Sequence, residues 1–116
     1  MNALVRDPMT WTDVGAVTDI PVRGARRVPT PAGDVAIFRT GDGRVFALMD
    51  RCPHKGGPLS QGIVHGHQVT CPLHAWNIDL ATGEPTGADR GKGCAPTVPL
   101  RVEGGRILLG SQRRAA

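Results

Sequence analysis

The sequence Cys52-Pro-His54 is followed, after sixteen residues, by Cys71-Pro-Leu-His74. Each segment carries one cysteine and one histidine, and a proline directly follows each cysteine. Because proline fixes its own φ and lacks a backbone N–H, both segments are expected to form stiff loops. Thiolate sulfur and imidazole nitrogen are the ligands that soft and borderline metals take in proteins. The pattern therefore predicts one metal centre with four ligands, Cys52, His54, Cys71 and His74.

Two kinds of metal centre can be built from two cysteines and two histidines. Structural zinc sites usually take a closely spaced pair of cysteines and a separate pair of histidines. A Rieske [2Fe–2S] centre binds one iron through two cysteines and the other iron through two histidines. Each segment here could give its cysteine to one iron and its histidine to the other. The mixed pairs favour the two-iron centre, with zinc and a loop without metal as the alternatives.

Length and composition indicate one soluble domain. The 116 residues suffice for a single core, and 40% of them are hydrophobic and 21% charged. Sixteen glycines and ten prolines favour turns and short strands over long helices. We expect residues 1–116 to form one domain, with a core from about residue 11 to about residue 109 and a cluster-binding subdomain from about 50 to 76.

Charge and hydropathy exclude several classes of partner. The formal charge of +4 is dispersed, apart from Arg26-Arg27 and Arg113-Arg114, so no nucleic-acid partner is expected. No apolar stretch approaches the ~20 residues of a membrane span, and no membrane association is expected. The first residues lack the basic start and apolar run of a secretory signal. Three cysteines cannot all pair as disulfides, which favours a reducing cytoplasm.

Strand-like runs with turns between them predict an all-β fold, an antiparallel sandwich or barrel. Residues 34–40 and 44–49 flank Gly41-Asp42-Gly43, and this arrangement predicts a β-hairpin. Residues 98–103 and 106–109 flank Gly104-Gly105 and predict a second hairpin that closes the fold.

Three further segments complete the predicted organisation. Residues 76–80 alternate apolar and polar side chains and predict a strand, and residues 19–21 predict a short helical turn. Residues 55–68 are rich in glycine and poor in large apolar side chains. We expect them to form loops that a bound cluster holds in place, at one tip of the β structure.

The stretch Asp50-Arg-Cys-Pro-His-Lys-Gly-Gly-Pro-Leu-Ser-Gln-Gly62, with Cys71-Pro-Leu-His-Ala-Trp76, resembles the small subunit of assimilatory NAD(P)H-dependent nitrite reductases. The resemblance continues in Ile63-Val-His65 and Thr82-Gly-Glu84, and it spans nearly the whole chain. The four ligands alone resemble the entire Rieske superfamily, whereas the run from Lys55 to Gly62 points to this branch.

The resemblance implies a Rieske-type fold in which the four ligands hold a [2Fe–2S] cluster. It also implies a cytoplasmic subunit without catalytic residues or independent activity. The partner would be a large subunit that carries FAD, siroheme and a [4Fe–4S] cluster and reduces nitrite to ammonium. Two alternatives are a Rieske ferredoxin that supplies electrons to an aromatic-ring oxygenase, and a structural or regulatory subunit in which the cluster is incidental.

The reduction potential of such a cluster is expected to be low for its class. An oxidised [2Fe–2S] core with two thiolates is neutral, whereas four thiolates leave it anionic. Rieske centres accordingly lie at roughly −150 to +300 mV, above about −400 mV for plant-type ferredoxins. The resemblance places Gly57 and Leu73 where high-potential relatives have a disulfide, and Trp76 where they have a serine hydroxyl. Without these groups we expect the lower end of the range.

Several other residues have a functional and a structural interpretation. Cys94 is interpreted as a small buried hydrophobe, with a place in a third loop over the cluster as the alternative. His65 and His67 are predicted to face solvent. Trp76 is interpreted as an anchor of the sheet rather than a shield of the cluster. Lys55 is either a contact for a partner at the tip or an ordinary solvated lysine.

Overall fold

The computed structural model describes residues 9–73 and 75–112, so that His74 and Arg113-Arg114 lie outside the described residues. Within these ranges the chain forms nine strands and three short 3-10 helices, and no α-helix. The predicted all-β class is confirmed. The strands are β1 (Met9–Ala16), β2 (Gly24–Thr30), β3 (Gly33–Arg39), β4 (Val45–Met49), β5 (Ile63–His65), β6 (Gln68–Thr70), β7 (Asn77–Asp79), β8 (Leu100–Glu103) and β9 (Arg106–Gln112). The 3-10 helices are Val17–Asp19, Leu59–Gln61 and Gly87–Asp89.

The strands form three antiparallel sheets of three strands each. The outer sheet has the order β1-β9-β8, the middle sheet β2-β3-β4 and the small sheet β5-β6-β7. Both predicted hairpins are confirmed, since β3 pairs with β4 across residues 40–44 and β8 pairs with β9 across Gly104-Gly105. Strand β7 lies within the segment predicted as a strand.

The middle sheet is buried on both faces. Along β3, Ala36 and Phe38 belong to the hydrophobic cluster shared with the small sheet, whereas Val35 and Ile37 belong to the cluster shared with the outer sheet. Successive side chains of a strand point to opposite faces, so an unbroken apolar run such as residues 35–38 requires a partner layer on each side. The outer sheet and the small sheet supply these two layers.

The glycine-rich segment differs from its predicted form. Residues 55–68 contain a 3-10 helix and strand β5, and two of their side chains are buried: Leu59 is 0% exposed and Val64 is 5% exposed. A single apolar residue between two exposed ones is too short a pattern to distinguish a strand from a loop. The prediction that this segment forms only loops, held by a bound cluster rather than by a core, is therefore wrong as to its secondary structure and its packing.

The helical turn predicted at residues 19–21 begins earlier than expected, because the 3-10 helix spans Val17–Asp19. Strands β1 and β2 were not singled out by the sequence patterns. No helix in the described ranges is long enough and apolar enough to span a membrane.

The loop of residues 80–97 packs onto the core at Gly83. The backbone of Gly83 is in the left-handed region, with φ +78°, and the Gly83 carbonyl accepts a 2.7 Å hydrogen bond from the N–H of Ala95. A Cβ atom at residue 83 would lie 1.9 Å from the carbonyl oxygen of Ala95. Only glycine allows this approach, which fixes the two ends of the loop against each other.

We expect Gly83→Ala to destabilise the protein much more than Gly104→Ala. Both positions have positive φ, so alanine costs about 1–2 kcal/mol at each for the conformation alone. A Cβ at Gly104 meets nothing within 4 Å, whereas at Gly83 it displaces the loop and breaks the hydrogen bond to Ala95, which adds ~1–3 kcal/mol. Urea unfolding of both variants measures the difference. Equal losses would contradict the close approach described here.

Candidate metal centre

The predicted ligands lie in loops that meet at one end of the small sheet. Cys52 and His54 follow β4, and Cys71 directly follows β6. The two loops touch at Gly57, where a Cβ atom would lie 2.9 Å from the Cδ1 of Leu73 and 3.2 Å from the Sγ of Cys71. A larger side chain at position 57 would require the exposed side chain of Leu73 to move.

The two cysteines are buried side by side as free thiols. Cys52 is 2% exposed and Cys71 is 1% exposed, and both belong to the hydrophobic cluster between the middle and small sheets. The pKa of the Cys71 thiol is raised to about 11, and burial is the largest cause. The N–H of Leu73, 3.4 Å from Sγ, lowers this pKa, whereas a hydrogen bond with Cys52 and the charge of Cys52 contribute to raising it. The Cys71 thiol therefore stays protonated at neutral pH unless a metal replaces its proton.

His54 stacks on Trp76. The ring centroids are 4.3 Å apart and the planes are inclined by 16°. Trp76 is half-buried and packs against the same hydrophobic cluster as the cysteines, so it anchors the sheet and orients the imidazole at once. The interpretation of Trp76 as an anchor of the sheet agrees with its packing on the cluster, but it did not include the stacking on His54.

The described ligands do not gather around a single point. Within residues 9–73 and 75–112, no three histidine, cysteine or acidic side chains are placed to bind one metal ion. The prediction for His74 falls outside this part of the chain. A mononuclear zinc site needs all its ligands around one ion. A two-iron cluster puts the thiolates and the imidazoles on different irons, so the adjacent thiols of Cys52 and Cys71 would share one iron.

A buried carboxylate holds the first ligand loop at its base. The side chain of Asp50 is 0% exposed. One oxygen accepts the Ser60 N–H at 2.7 Å, and the other accepts the Ser60 hydroxyl at 2.6 Å and the Nε–H of Arg27 at 2.9 Å. The hydrogen bond to Asp50 raises the pKa of Arg27 above its ordinary value, so this guanidinium stays charged. The two ends of loop 50–60 are thereby tied to each other and to β2.

A second polar cluster closes the base of the other ligand loop. Thr70 and Asn77 are partners across β6 and β7, and the Thr70 hydroxyl donates to the Asn77 side-chain oxygen at 2.6 Å. The Nε2 of His65 lies 2.8 Å from the Thr70 hydroxyl and 3.2 Å from the same Asn77 oxygen. The N–H of Cys71 donates to the carbonyl of Trp76 at 2.7 Å. The two ends of the second ligand loop, Cys71 and Trp76, are therefore held together.

The predictions for the remaining residues have mixed outcomes. His65 and His67 are exposed, as predicted, and the Nε2 of His67 lies 2.9 Å from a carboxylate oxygen of Asp42. Cys94 is exposed, so its interpretation as a buried hydrophobe is wrong. Its loop does reach the first ligand loop, because a Cβ atom on the neighbouring Gly93 would lie 3.2 Å from the Cβ of Pro53.

The residues that support the two ligand loops were not predicted from the sequence. Ser60 lies 10 residues after Asp50 in the sequence, and Arg27 lies 23 residues before it. Aspartate, serine and arginine are common residues without a diagnostic spacing. One signal was available in the sequence: Asp50 directly follows a predicted strand and precedes the predicted ligand Cys52 by two residues. A carboxylate buried at such a place needs hydrogen-bond or ion-pair partners.

Comparison with known proteins identifies the family. Residues 10–99 match the family model of the Rieske [2Fe–2S] domain. The chain therefore belongs to the Rieske [2Fe–2S] domain family. Domains of this family are electron-transfer components of oxidoreductases, and the match supports a [2Fe–2S] cluster on this chain.

Relatives of two functional kinds are similar over most of the chain. The anthranilate 1,2-dioxygenase ferredoxin subunit of Burkholderia cepacia is 37% identical over 101 residues, which cover 86% of each protein. A solved structure described as the small subunit of an NADH-dependent nitrite reductase from Mycobacterium tuberculosis is 29% identical, with a TM-score of 0.80 and coverage of 95% of this chain and 100% of that one. A chain in the complex of reduced oxygenase and oxidised ferredoxin in carbazole 1,9a-dioxygenase is 25% identical, with a TM-score of 0.77 and coverage of 91% and 97%.

We expect Asp50→Ala to destabilise the protein by about 3 kcal/mol, because the Ser60 N–H and hydroxyl lose their acceptor in a buried place. Asp13→Ala is the matched control, since Asp13 pairs with Arg106 where both side chains are about half exposed. Exposed ion pairs contribute little, and this variant should stay close to the parent. Chemical denaturation of both variants compares the two sites. Similar effects would show that the Asp50 network does not support the fold.

Proposed function

We propose that this chain is the iron–sulfur small subunit of an assimilatory NAD(P)H-dependent nitrite reductase. Cys52 and Cys71 would bind one iron of its [2Fe–2S] cluster, and His54 and His74 the other. Residues of about 50–76 would form the cluster-binding subdomain of a single domain. The large subunit would carry the FAD, siroheme and [4Fe–4S] centres and the chemistry of nitrite, in the cytoplasm.

The donor set supports electron transfer rather than catalysis on this chain. Two buried thiols and a histidine at the same end of the small sheet fit the ligand types of a Rieske cluster. When bound, the cluster would accept and donate one electron at a time. Four protein ligands and the bridging sulfides complete the coordination of both irons, so nitrite has no position at which to bind.

The residues around the ligands suit this role. The Asp50 network and the His65–Thr70–Asn77 cluster hold both loops at their bases. A rigid site changes little between two oxidation states, and the energy needed to reorganise it is then small. The Leu73 N–H points at the sulfur of Cys71 and would stabilise a thiolate there.

One observation favours nitrite reductase as the particular system. The run Lys55-Gly-Gly-Pro-Leu-Ser-Gln-Gly62 that resembles this branch is the first half of the segment between the two ligand pairs. It surrounds Gly57, which keeps the loops in contact, and Leu59 and Ser60, which tie the first loop to the core and to Asp50. The overlap with the Mycobacterium tuberculosis structure extends along that whole chain, which agrees with this choice.

A second candidate is a Rieske ferredoxin that reduces an aromatic-ring oxygenase. The observation in its favour is the 37% identity to the anthranilate dioxygenase ferredoxin subunit, which exceeds the 29% identity to the nitrite reductase structure. Both candidates use the same one-electron site. They differ in the protein that receives or delivers the electron.

We expect the reduced, anaerobically purified protein to give the EPR signal of a Rieske centre and a midpoint potential in the lower part of the range of roughly −150 to +300 mV. Gly57 and Leu73 pack against each other without a disulfide, and the described part of the tip has no tyrosine or serine hydroxyl on the Cys71 sulfur. Cys94→Ser is the control and should leave signal and potential unchanged, because Cys94 is exposed and is not a predicted ligand. Bound zinc without iron, or a midpoint above about +100 mV, would contradict the assignment.

We expect the chain, co-produced with a siroheme–flavin large subunit, to form a complex that reduces nitrite with NAD(P)H. Cys52→Ser should remove the cluster signal and lower turnover at least tenfold, while Cys94→Ser should leave it unchanged. Size-exclusion chromatography checks that the variant complex still assembles. An assembled Cys52→Ser complex with full turnover would leave only a structural role.

The same preparation separates the two candidate systems. Reduced wild-type protein is mixed with the large subunit or with an aromatic-ring oxygenase, and the rate of cluster oxidation is followed by absorption. Fast oxidation by the oxygenase together with failure to bind the large subunit would support the second candidate and contradict the first.

A further inference from the structure

We infer that the end of the molecule that carries the ligand loops is a positively charged docking surface for a protein partner with an acidic contact patch. This surface, called here the basic tip, comprises residues 51–58, 71–76 without His74, and 86–96. The inference rests on the proposed function in one respect, that electrons leave or enter at these loops. It adds the charge of the partner, which the two candidate systems do not specify.

The basic tip holds most of the net charge of the chain. Its three segments contain four cations, Arg51, Lys55, Arg90 and Lys92, and one carboxylate, Asp89. The rest of the sequence has ten cations and nine carboxylates. A formal charge of +3 thus falls on the basic tip, out of +4 for the whole chain.

The three segments are brought together by the fold. Gly57 touches Leu73 and Cys71, Gly93 approaches Pro53, and the Nζ of Lys92 lies 6.0 Å from the ring centroid of Trp76. Since Trp76 stacks on His54, Lys92 is close to a predicted ligand although it lies 38 residues further along the sequence. The charge concentration is therefore a property of one surface and not only of the sequence.

These cations are available to a partner. All four cations are exposed. Among the residues that the structure describes, Lys92 alone of the four has an ion-pair partner, Asp89 at 3.3 Å. Many cations elsewhere in the described residues are already matched: Arg27 by Asp50, Arg44 by Asp42, Arg101 by Glu103 and Arg106 by Asp13. The local excess of charge at the basic tip has no internal counterpart.

An apolar centre accompanies the charged rim. Pro72 and Ala75 are exposed and Leu73 is 42% exposed, directly beside the second predicted ligand pair. An apolar contact inside a ring of charge is typical of protein–protein interfaces, in which the charges mainly raise the association rate and select the partner. The glycine- and proline-rich loops carry no row of arginines or stacking aromatics such as single-stranded nucleic acid requires. A protein with an acidic rim fits this surface best.

The charge of the basic tip can be tested with small redox reagents that need no biological partner. Reduced holoprotein is oxidised in a stopped-flow instrument by ferricyanide, a trianion, and by tris(phenanthroline)cobalt(III), a trication. We expect the ferricyanide rate constant to fall at least threefold when salt is raised from low to physiological ionic strength, and the cobalt rate constant to rise. The pair Lys55→Gln and Lys92→Gln should lower the ferricyanide rate constant at least threefold at low salt.

A matched control removes the same amount of charge elsewhere. Arg23→Gln with Arg101→Gln also deletes two exposed cations, one before β2 and one on β8, and should change the ferricyanide rate constant by less than a factor of 1.5. An unchanged EPR signal in both double variants shows that the cluster is intact. Equal effects of the two double variants would overturn the inference, because the field would then be that of the whole molecule.

Two binding measurements separate this inference from the proposed function. If the large subunit binds the wild type but the Lys55→Gln/Lys92→Gln variant binds it at least tenfold more weakly at low salt, both are supported. If the large subunit does not bind while an oxygenase binds and shows the same loss, the basic tip stands and nitrite reductase is wrong. If the protein that binds has the same affinity for the wild type and for the Lys55→Gln/Lys92→Gln variant, the inference is wrong. Salt-resistant binding of a labelled oligonucleotide that requires them would also overturn it.

Discussion

The burial of two thiols in one hydrophobic cluster is the constraint on which the site depends. Cys52 and Cys71 come from different loops, and both pack between the middle and the small sheet. The two loops meet at Gly57, where a Cβ atom would lie 2.9 Å from the Cδ1 of Leu73 and 3.2 Å from the Sγ of Cys71. Burial raises the pKa of the Cys71 thiol, so a metal that binds this sulfur must displace its proton. The small sheet is thus organised around the site as much as around its own apolar residues.

The loops are fixed at their bases by polar clusters and left exposed at their ends. Asp50 ties the first loop to Ser60 and Arg27, and the neck of the second loop is closed between Thr70 and Asn77. Buried polar groups with complete hydrogen bonds are rigid because every alternative leaves a partner unsatisfied. Beyond these clusters the chain presents lysine, arginine and Leu73 to solvent. Rigidity inside and accessibility outside are the two properties that a one-electron carrier requires.

The charges have different roles according to depth. The carboxylate of Asp50 is buried and paired, and its main effect is to position a loop. The cations of the basic tip are exposed and screened by salt, so each adds little to stability. Their common sign nevertheless produces a field that acts on an approaching partner over about a Debye length, ~8–10 Å. The fold therefore uses paired charge for structure and unpaired charge for recognition.

The fold class and the ligand types could be predicted from the sequence, because both depend on patterns of neighbouring residues. The alternating and apolar runs gave the two hairpins, and the mixed cysteine–histidine pairs pointed to the family to which the chain belongs. Strand β5 escaped detection because three residues with one buried side chain do not form a readable period. The Asp50 network and the stacking of His54 on Trp76 escaped for another reason: common residues from distant parts of the chain have no diagnostic spacing.

The sequence by itself determined which atoms are available to a metal and roughly which segments are strands. Only the tertiary structure decided that the two thiols share one buried place and that three loops join their charges on one surface. It also decided that Cys94 faces solvent instead of the core. The physical reason is that burial and field strength depend on what lies nearby in space. Proximity between residues as distant as Pro53 and Gly93 is created by folding alone.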